Sequence, residues 1–382
     1  MKRLLVVAIV LGLGAVGLFV SRPGSKTPTS PTRLRLAPAP ELAFARATQR
    51  RAFHLPDDHG PHYDYQTEWW YYTGNLKAKD GHAFGFQLTF FRRGLAPGPP
   101  PETGLATNQI HFAHFAITDV AAGRHRFAER FSRGALGLAG ATGAPFHLWL
   151  EDWSAEATNP DGSGLRLRAR DGDLLLDLEL EAAKPLVAHG DRGLSPKSDT
   201  PGNASYYIGY TRMRAKGRLG RSGAPAEAEG EAWFDHEWST SALGPKAVGW
   251  DWWSLQLSDG RELMFFQIRR EDASQEAASS GTLVQADGTT RRLGPEDVRV
   301  EVQDVWRSPE TDARYPARWR LRVPTEDLDL VVEPLLAAQE MRTSFTYWEG
   351  ATRVLGTSRG TPISGRGYVE LTGYASAMKG VF

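Results

Sequence analysis

Asp-Gly pairs set between runs of alternating apolar and polar residues restrict this chain more than any other feature. They stand at 80, 161, 171, 259 and 287. Two-residue hairpin turns need positive φ, which glycine adopts without steric cost, so Asp-Gly marks tight hairpins. The runs around these pairs have a period of two. In "FGFQLTFF", Phe84, Phe86, Leu88 and Phe90 share one face. Leu165 and Leu167 oppose Arg166 and Arg168, and beyond the turn Leu174, Leu176, Leu178 and Leu180 form the next apolar face. Trp319, Leu321 and Val323 oppose Arg318, Arg320 and Arg322. No long segment carries a 3.6-residue period. The expected fold is all-β, with antiparallel strands joined by short turns as in barrels or sandwiches.

An internal repeat refines this expectation. Trp69-Trp70, Asp80-Gly81 and Phe86-Gln87-Leu88 recur in order as Trp252-Trp253, Asp259-Gly260 and Phe266-Gln267-Ile268. "GEAWFD" at 230–235 parallels "GRGYVE" at 365–370. Each half opens on a Trp-Trp strand and ends on a Gly-x-small-aromatic strand. The repeat predicts two related β domains, 49–240 and 241–382.

Composition excludes several function classes. The 382 residues carry 45 basic and 45 acidic side chains, so no basic field for nucleic acid exists. Cysteine is absent, which removes disulfides, thiolate metal sites and a cysteine nucleophile. Lys2 and Arg3 precede an apolar run from Leu4 to Val20. Residues 1–22 read as an export signal or an N-terminal membrane anchor. A Pro/Ser/Thr-rich linker, expected to be disordered, follows over 23–48. The chain is expected to be exported, either to the periplasm or anchored to the inner membrane and facing it.

"GEAWFDHEWST" packs Asp235, His236 and Glu237 between two tryptophans. On a strand these side chains separate. His236 shares a face with Phe234 and Trp238, while Asp235 and Glu237 share the other with Trp233. A metal site built from all three is not expected. His236 is either a hydrogen-bonded core histidine or the lining of an aromatic cavity. In "GWDWWS", Asp251 lies between Trp250 and Trp252. If buried among indoles it would be a raised-pKa general acid, with the ring faces stabilising a developing cation. The alternative is an aspartate paired with an arginine. His59 and His62 lie three apart in a Gly-Pro loop, with no third metal ligand fixed by the sequence. His111 and His114 are expected on opposite faces of a strand. "GTSRG" around Ser358 matches a nucleophile-elbow pattern, but its context is β and no histidine follows His236.

At these motifs the chain resembles the lipocalin-like family of carotenoid 1,2-hydratases (hydroxyneurosporene synthases) and AttH-like proteins, often described as predicted secreted hydrolases. The resemblance rests on "DDHGPHYDYQTEWWYYTGNL", "YYIGYTRMRAKGRL", "GEAWFDHEWST", "GWDWWSLQLSDG", "YWEGA" and "GYVELTGY", spanning about 54–374. It implies a tandem of two lipocalin-like antiparallel β-barrel domains able to hold an apolar ligand. In the hydratases an acid protonates a polyene C=C, aromatic rings stabilise the carbocation, and water adds. The family's His and Trp, two apart, map onto His236 and Trp238. Its later Tyr-x-Asp falls near Asp251, with a tryptophan where the tyrosine is expected.

The same motifs supply candidate ligand-binding residues. They are His62, Glu68, Trp69, Trp70 and Tyr71 from the first and Tyr207 from the second. Trp250 and Trp252 flank Asp251, and Trp348 and Glu349 come from "YWEGA". The resemblance implies an exported binder of an apolar lipid or isoprenoid, serving an ABC-type transport system in the cell envelope, or else a hydratase or hydrolase. It implies no cofactor and no metal. Asp235 has a sequence counterpart in Glu370, which favours a structural role for it; His236 has none.

Overall fold

The computed structural model describes residues 44–101, 105–240, 243–244 and 246–378. The expected signal or anchor, and most of the expected linker, lie outside the described residues. All five Asp-Gly pairs fall at turns between consecutive antiparallel strands. Their glycines have φ of 93° (Gly81), 75° (Gly162), 55° (Gly172), 82° (Gly260) and 86° (Gly288), so the turns use the conformation that side-chain-bearing residues avoid. Ser358 also ends a strand in a hairpin, and its hydroxyl accepts from Arg261 at 2.6 Å. The strand–turn–helix context of a nucleophile elbow is not present there.

Twenty-three strands form two curled antiparallel sheets, and no α-helix occurs among the described residues. The strands of the first sheet lie within 67–239 and nearly close into a barrel. Those of the second lie within 247–371 and form a half-barrel. Each sheet buries its own apolar face. Leu165, Leu167, Leu174, Leu176, Leu178 and Leu180 fill the first core with Trp70 and Trp153. Trp253, Trp319, Leu321 and Val323 fill the second.

The sequence repeat is a repeat of pairing. Thr67–Ala78 is flanked by Ala83–Gly94 and by Ala224–Ser239. Ala247–Leu257 is flanked in the same way by Glu262–Arg270 and Thr361–Leu371. The register corrects the detailed correspondence. Trp69 and Trp70 lie opposite Phe91 and Phe90, whereas Trp252 and Trp253 lie opposite Phe266 and Phe265. Phe91, not Phe86, therefore matches Phe266, because the first hairpin is four residues longer in each arm. On the other side Trp69 faces Glu237 and Trp252 faces Glu370. Glu237, rather than Asp235, is the positional counterpart of Glu370.

The sheets also pack against each other, so the strands at the contact are buried on both faces. Thr67–Ala78 is buried at nearly every position, which is why "EWWYYT" shows no alternation. Backbone groups there are met across the contact. Asn75 Nδ2 donates to Gly367 O at 2.9 Å, and Gln256 Nε2 to Thr211 O and Ala232 O at 2.9 Å each. Glu262 accepts from Lys184 at 2.7 Å and Arg212 at 2.6 Å.

Candidate active site

Strand alternation divides Ala224–Ser239 as its pattern requires. Phe234 enters the first core, and His236 and Trp238 continue along that face. Trp233, Asp235 and Glu237 turn to the contact between the sheets.

On the His236 face, a buried polar cluster occupies one end of the first sheet. Glu68 Oε1 lies 2.7 Å from His62 Nδ1 and 2.9 Å from His236 Nε2, and Glu68 Oε2 accepts from Arg92 Nε at 2.8 Å. His62 Nε2 meets Asp58 at 3.1 Å, and its ring stacks on Trp238 at 3.7 Å. Trp70 stacks on His236 at 4.7 Å. Burial pushes the Glu68 carboxyl up, but Arg92 and the two histidines overturn this and hold it well below the usual range. Burial pushes His62 down, but its two carboxylates raise it. His236 is lowered, because burial outweighs Glu68. The ligand atoms of His62, Glu68 and His236 lie within 4.8 Å of one another, a set that could hold a metal ion. Their bonding is that of a buried polar network in which His62, His236 and Arg92 share the Glu68 carboxylate.

On the opposite face, between the sheets, lies a cavity of about 90 Å³ measured at the centres of water molecules. Trp69, Tyr71, Phe91, Trp250, Trp252 and Phe266 are among the residues that line it, and Lys197 lines it too. Such a space holds several waters, or one apolar end group with a water. Three carboxyl groups reach it: Asp235 and Glu237 from the first sheet and Glu370 from the second. Glu237 is paired with Lys197 at 2.7 Å. Asp235 and Glu370 have no lysine or arginine partner among the described residues.

Asp235 Oδ2 accepts from Tyr207 OH at 2.6 Å, and Tyr207 OH accepts from Trp252 Nε1 at 3.1 Å. Asp235 Oδ1 is buried without a hydrogen-bond partner, with His189 Nε2, an imidazole that burial pushes down to about 3, 3.8 Å away. Burial raises the Asp235 carboxyl to about 8, against the hydrogen bond from Tyr207. Glu370 accepts from Trp250 Nε1 and is raised by burial to about 7. Burial thus favours the neutral acid form of Asp235 near pH 7 and brings Glu370 to where it can gain or lose a proton there.

The structure therefore separates the sequence candidates. Trp69, Tyr71, Tyr207, Trp250 and Trp252 line the cavity. His62, Glu68, Trp70, His236 and Trp238 form the cluster inside the first sheet. Asp251 belongs to neither. It points away from Trp250 and Trp252 and is bonded to Arg269 at 3.0 Å, Gln267 at 3.0 Å and Tyr374 at 3.1 Å. Burial still raises its carboxyl, opposed by Arg269. Trp348 is packed in the second core and donates to Ala337 O at 2.8 Å, while Glu349 sits behind Glu370. His111 and His114 do diverge; His114 bridges Tyr347 OH at 2.8 Å and Glu129 at 2.9 Å. Sequence reasoning passed over Asp235, Glu237, Glu370 and Lys197 as site residues. The repeat had paired Asp235 with Glu370, and both do face one cavity.

Fold and cavity together define the class: a lipocalin-like, two-sheet β protein with an acid-bearing aromatic cavity between its sheets. The chain belongs to the AttH-like family, whose sequence profile matches residues 46–374. A Nitrosomonas europaea protein described as an AttH is 35% identical, covering 86% of this chain and 99% of its own, with a TM-score of 0.76. Kievitone hydratase from Nectria haematococca shares the fold at 14% identity, covering 88% of this chain and 99% of its own, with a TM-score of 0.66. Comparison with curated protein sequences finds no match.

Proposed function

We propose that the protein takes the unsaturated end of a largely apolar molecule into the cavity between its sheets and adds water to, or removes it from, a C=C bond by acid catalysis. The observation that carries this reading is Asp235: a buried carboxyl that accepts from Tyr207 OH, has His189 Nε2 at 3.8 Å and no lysine or arginine in ion-pair contact among the described residues, and stands on the wall of an aromatic cavity. The Asp235 carboxylic acid protonates one alkene carbon. The π faces of Trp69, Trp250 and Trp252 stabilise the positive charge on its neighbour. A cavity water bonds to that carbon and gives up a proton, and the product has gained H and OH. The fold shared with kievitone hydratase and the resemblance to carotenoid hydratases support the same chemistry, as expectations by likeness.

The test is incubation with acyclic carotenoids and shorter isoprenoids in detergent, in water enriched in oxygen-18. A product that gains one labelled water, and is lost in Asp235→Asn, is expected. No product where a known hydratase yields one would overturn the reading.

A second reading keeps the cavity and drops the chemistry: an envelope carrier of an apolar lipid or isoprenoid, accessory to an ABC-type exporter. The apolar run Leu4–Val20 favours it. Native mass spectrometry separates the two, because a carrier retains an unaltered ligand.

A further inference from the structure

Glu349 and Glu370 stand directly opposite each other across the antiparallel pair Thr346–Ser358 and Thr361–Leu371. Directly opposed side chains on antiparallel strands project to the same face with Cβ atoms about 4.5–5.5 Å apart, so the two carboxyl groups are near neighbours. Glu349 is fully buried, and neither group forms an ion pair among the described residues. The donors that reach them are neutral: Tyr71 OH to Glu349 Oε2 at 3.1 Å, and Trp250 Nε1 to Glu370 Oε1. Glu349 Oε1 is buried without a hydrogen-bond partner. Two carboxylates held this close in an apolar site cannot both be ionised, and a proton on one supplies the hydrogen bond that the other lacks.

We propose that Glu349 and Glu370 hold one proton between them, as a carboxylic acid bonded to a carboxylate, and that Glu370 presents this pair to the cavity as a second acid–base group facing Asp235 from the other sheet. This rests on the hydration reading for its chemical use, though not for its existence. Burial raises Glu349 well above the usual range, and Glu370 adds to that. The surroundings support a single negative charge. Tyr71, Tyr347 and Tyr368 are raised by burial and stay neutral phenols, and nearby Glu237 is neutralised by Lys197.

The pair supplies what Asp235 alone lacks. After Asp235 has given its proton to carbon, the water that bonds to the cation must lose one. The Glu349–Glu370 monoanion accepts it and becomes a pair of neutral acids. One of those protons then returns through cavity water to the Asp235 carboxylate. Every group is restored, and the alkene has gained one H and one OH. In the dehydration direction the same transfers run backwards.

The experiment is infrared spectroscopy of the carboxylic C=O stretch at neutral pH, in light and heavy water, without substrate. In an Asp235→Asn background, one protonated carboxyl is expected. It disappears when Glu349→Gln and Glu370→Gln are added together, with circular dichroism reporting the fold. Titrating the same two proteins from neutral pH downward yields, as their difference, a second proton joining the pair. No protonated band in Asp235→Asn, or a neutral-pH difference worth two protons, overturns the proposal. Should the triple variant not fold, the deuterium-shifted band of Asp235→Asn decides by its presence and amplitude against a free-carboxylic-acid standard. If the band is found and no substrate is ever hydrated, the hydration reading fails and the proton-sharing pair stands. If it is absent while hydration occurs, the reverse holds.

Discussion

Asp235 and Glu370 face one cavity from different sheets, and neither has a lysine or arginine in ion-pair contact among the described residues. Of the other acids at the two sites, Glu68 is paired with Arg92, Glu237 with Lys197 and Asp251 with Arg269, while Glu349 stands opposite Glu370 on the neighbouring strand. The proton chemistry of the molecule is thus concentrated where the two sheets meet.

Asp235 makes stability depend on pH. Its folded pKa, about 8, lies above its ordinary 3.8, so the folded state binds the proton more tightly. The contribution is complete below pH 3.8 and is lost as pH rises through about 8. The slope from one such group is at most about 1.4 kcal/mol per pH unit. Asp235→Asn is expected to flatten the fall in melting temperature between pH 5.5 and 8.5; calorimetry across that range checks it. Any hydration rate should fall over the same upper limb, because the acid form is the donor.

Glu68 is expected to be a stability residue first. Glu68→Gln leaves Arg92 buried without its carboxylate and removes the charge that His62 faces. Breaking one side of such a pair costs about 3–5 kcal/mol. Denaturant melts should show a loss of that size, and Glu68→Asp a smaller one. Wild-type stability should also drop in acid as Glu68, whose pKa is lowered, is forced to protonate.

Gly209 lies opposite Asp235 in the strand pair. A Cβ there would stand 2.4 Å from Asp235 Oδ1 and 2.4 Å from Phe234 O. Gly209→Ala is expected to cost about 1–3 kcal/mol and to push the carboxyl aside. The check is a denaturant melt together with loss of the protonated Asp235 infrared band.

Asp251→Asn is expected to leave ligand uptake and any turnover unchanged, because Asp251 does not line the cavity. Native mass spectrometry and product analysis beside Asp235→Asn test this. A loss of turnover equal to that of Asp235→Asn would return Asp251 to the acid role.

Much of the fold was legible in local sequence. Asp-Gly turns and a period of two fixed the hairpins, since both act between neighbouring residues. The division of "GEAWFDHEWST" into two faces followed from the pleat alone. The repeat announced two related sheets, but its register was hidden by the longer first hairpin. Asp251 looked like an acid among indoles because "WDWW" shows its neighbours in sequence; Arg269, 18 residues away, neutralises it.

The sequence by itself determined an all-β chain, its turns, its family and which side chains share a face. Tertiary structure decided which face matters. A period of two cannot say whether a face meets solvent, a core or a second sheet. Packing the sheets together turned the Asp235 side of Ala224–Ser239 into a cavity wall, and the His236 side into a closed polar network. The desolvation that raises the Asp235 and Glu370 carboxyls comes from residues far away in the chain, so it exists only once the two sheets have met.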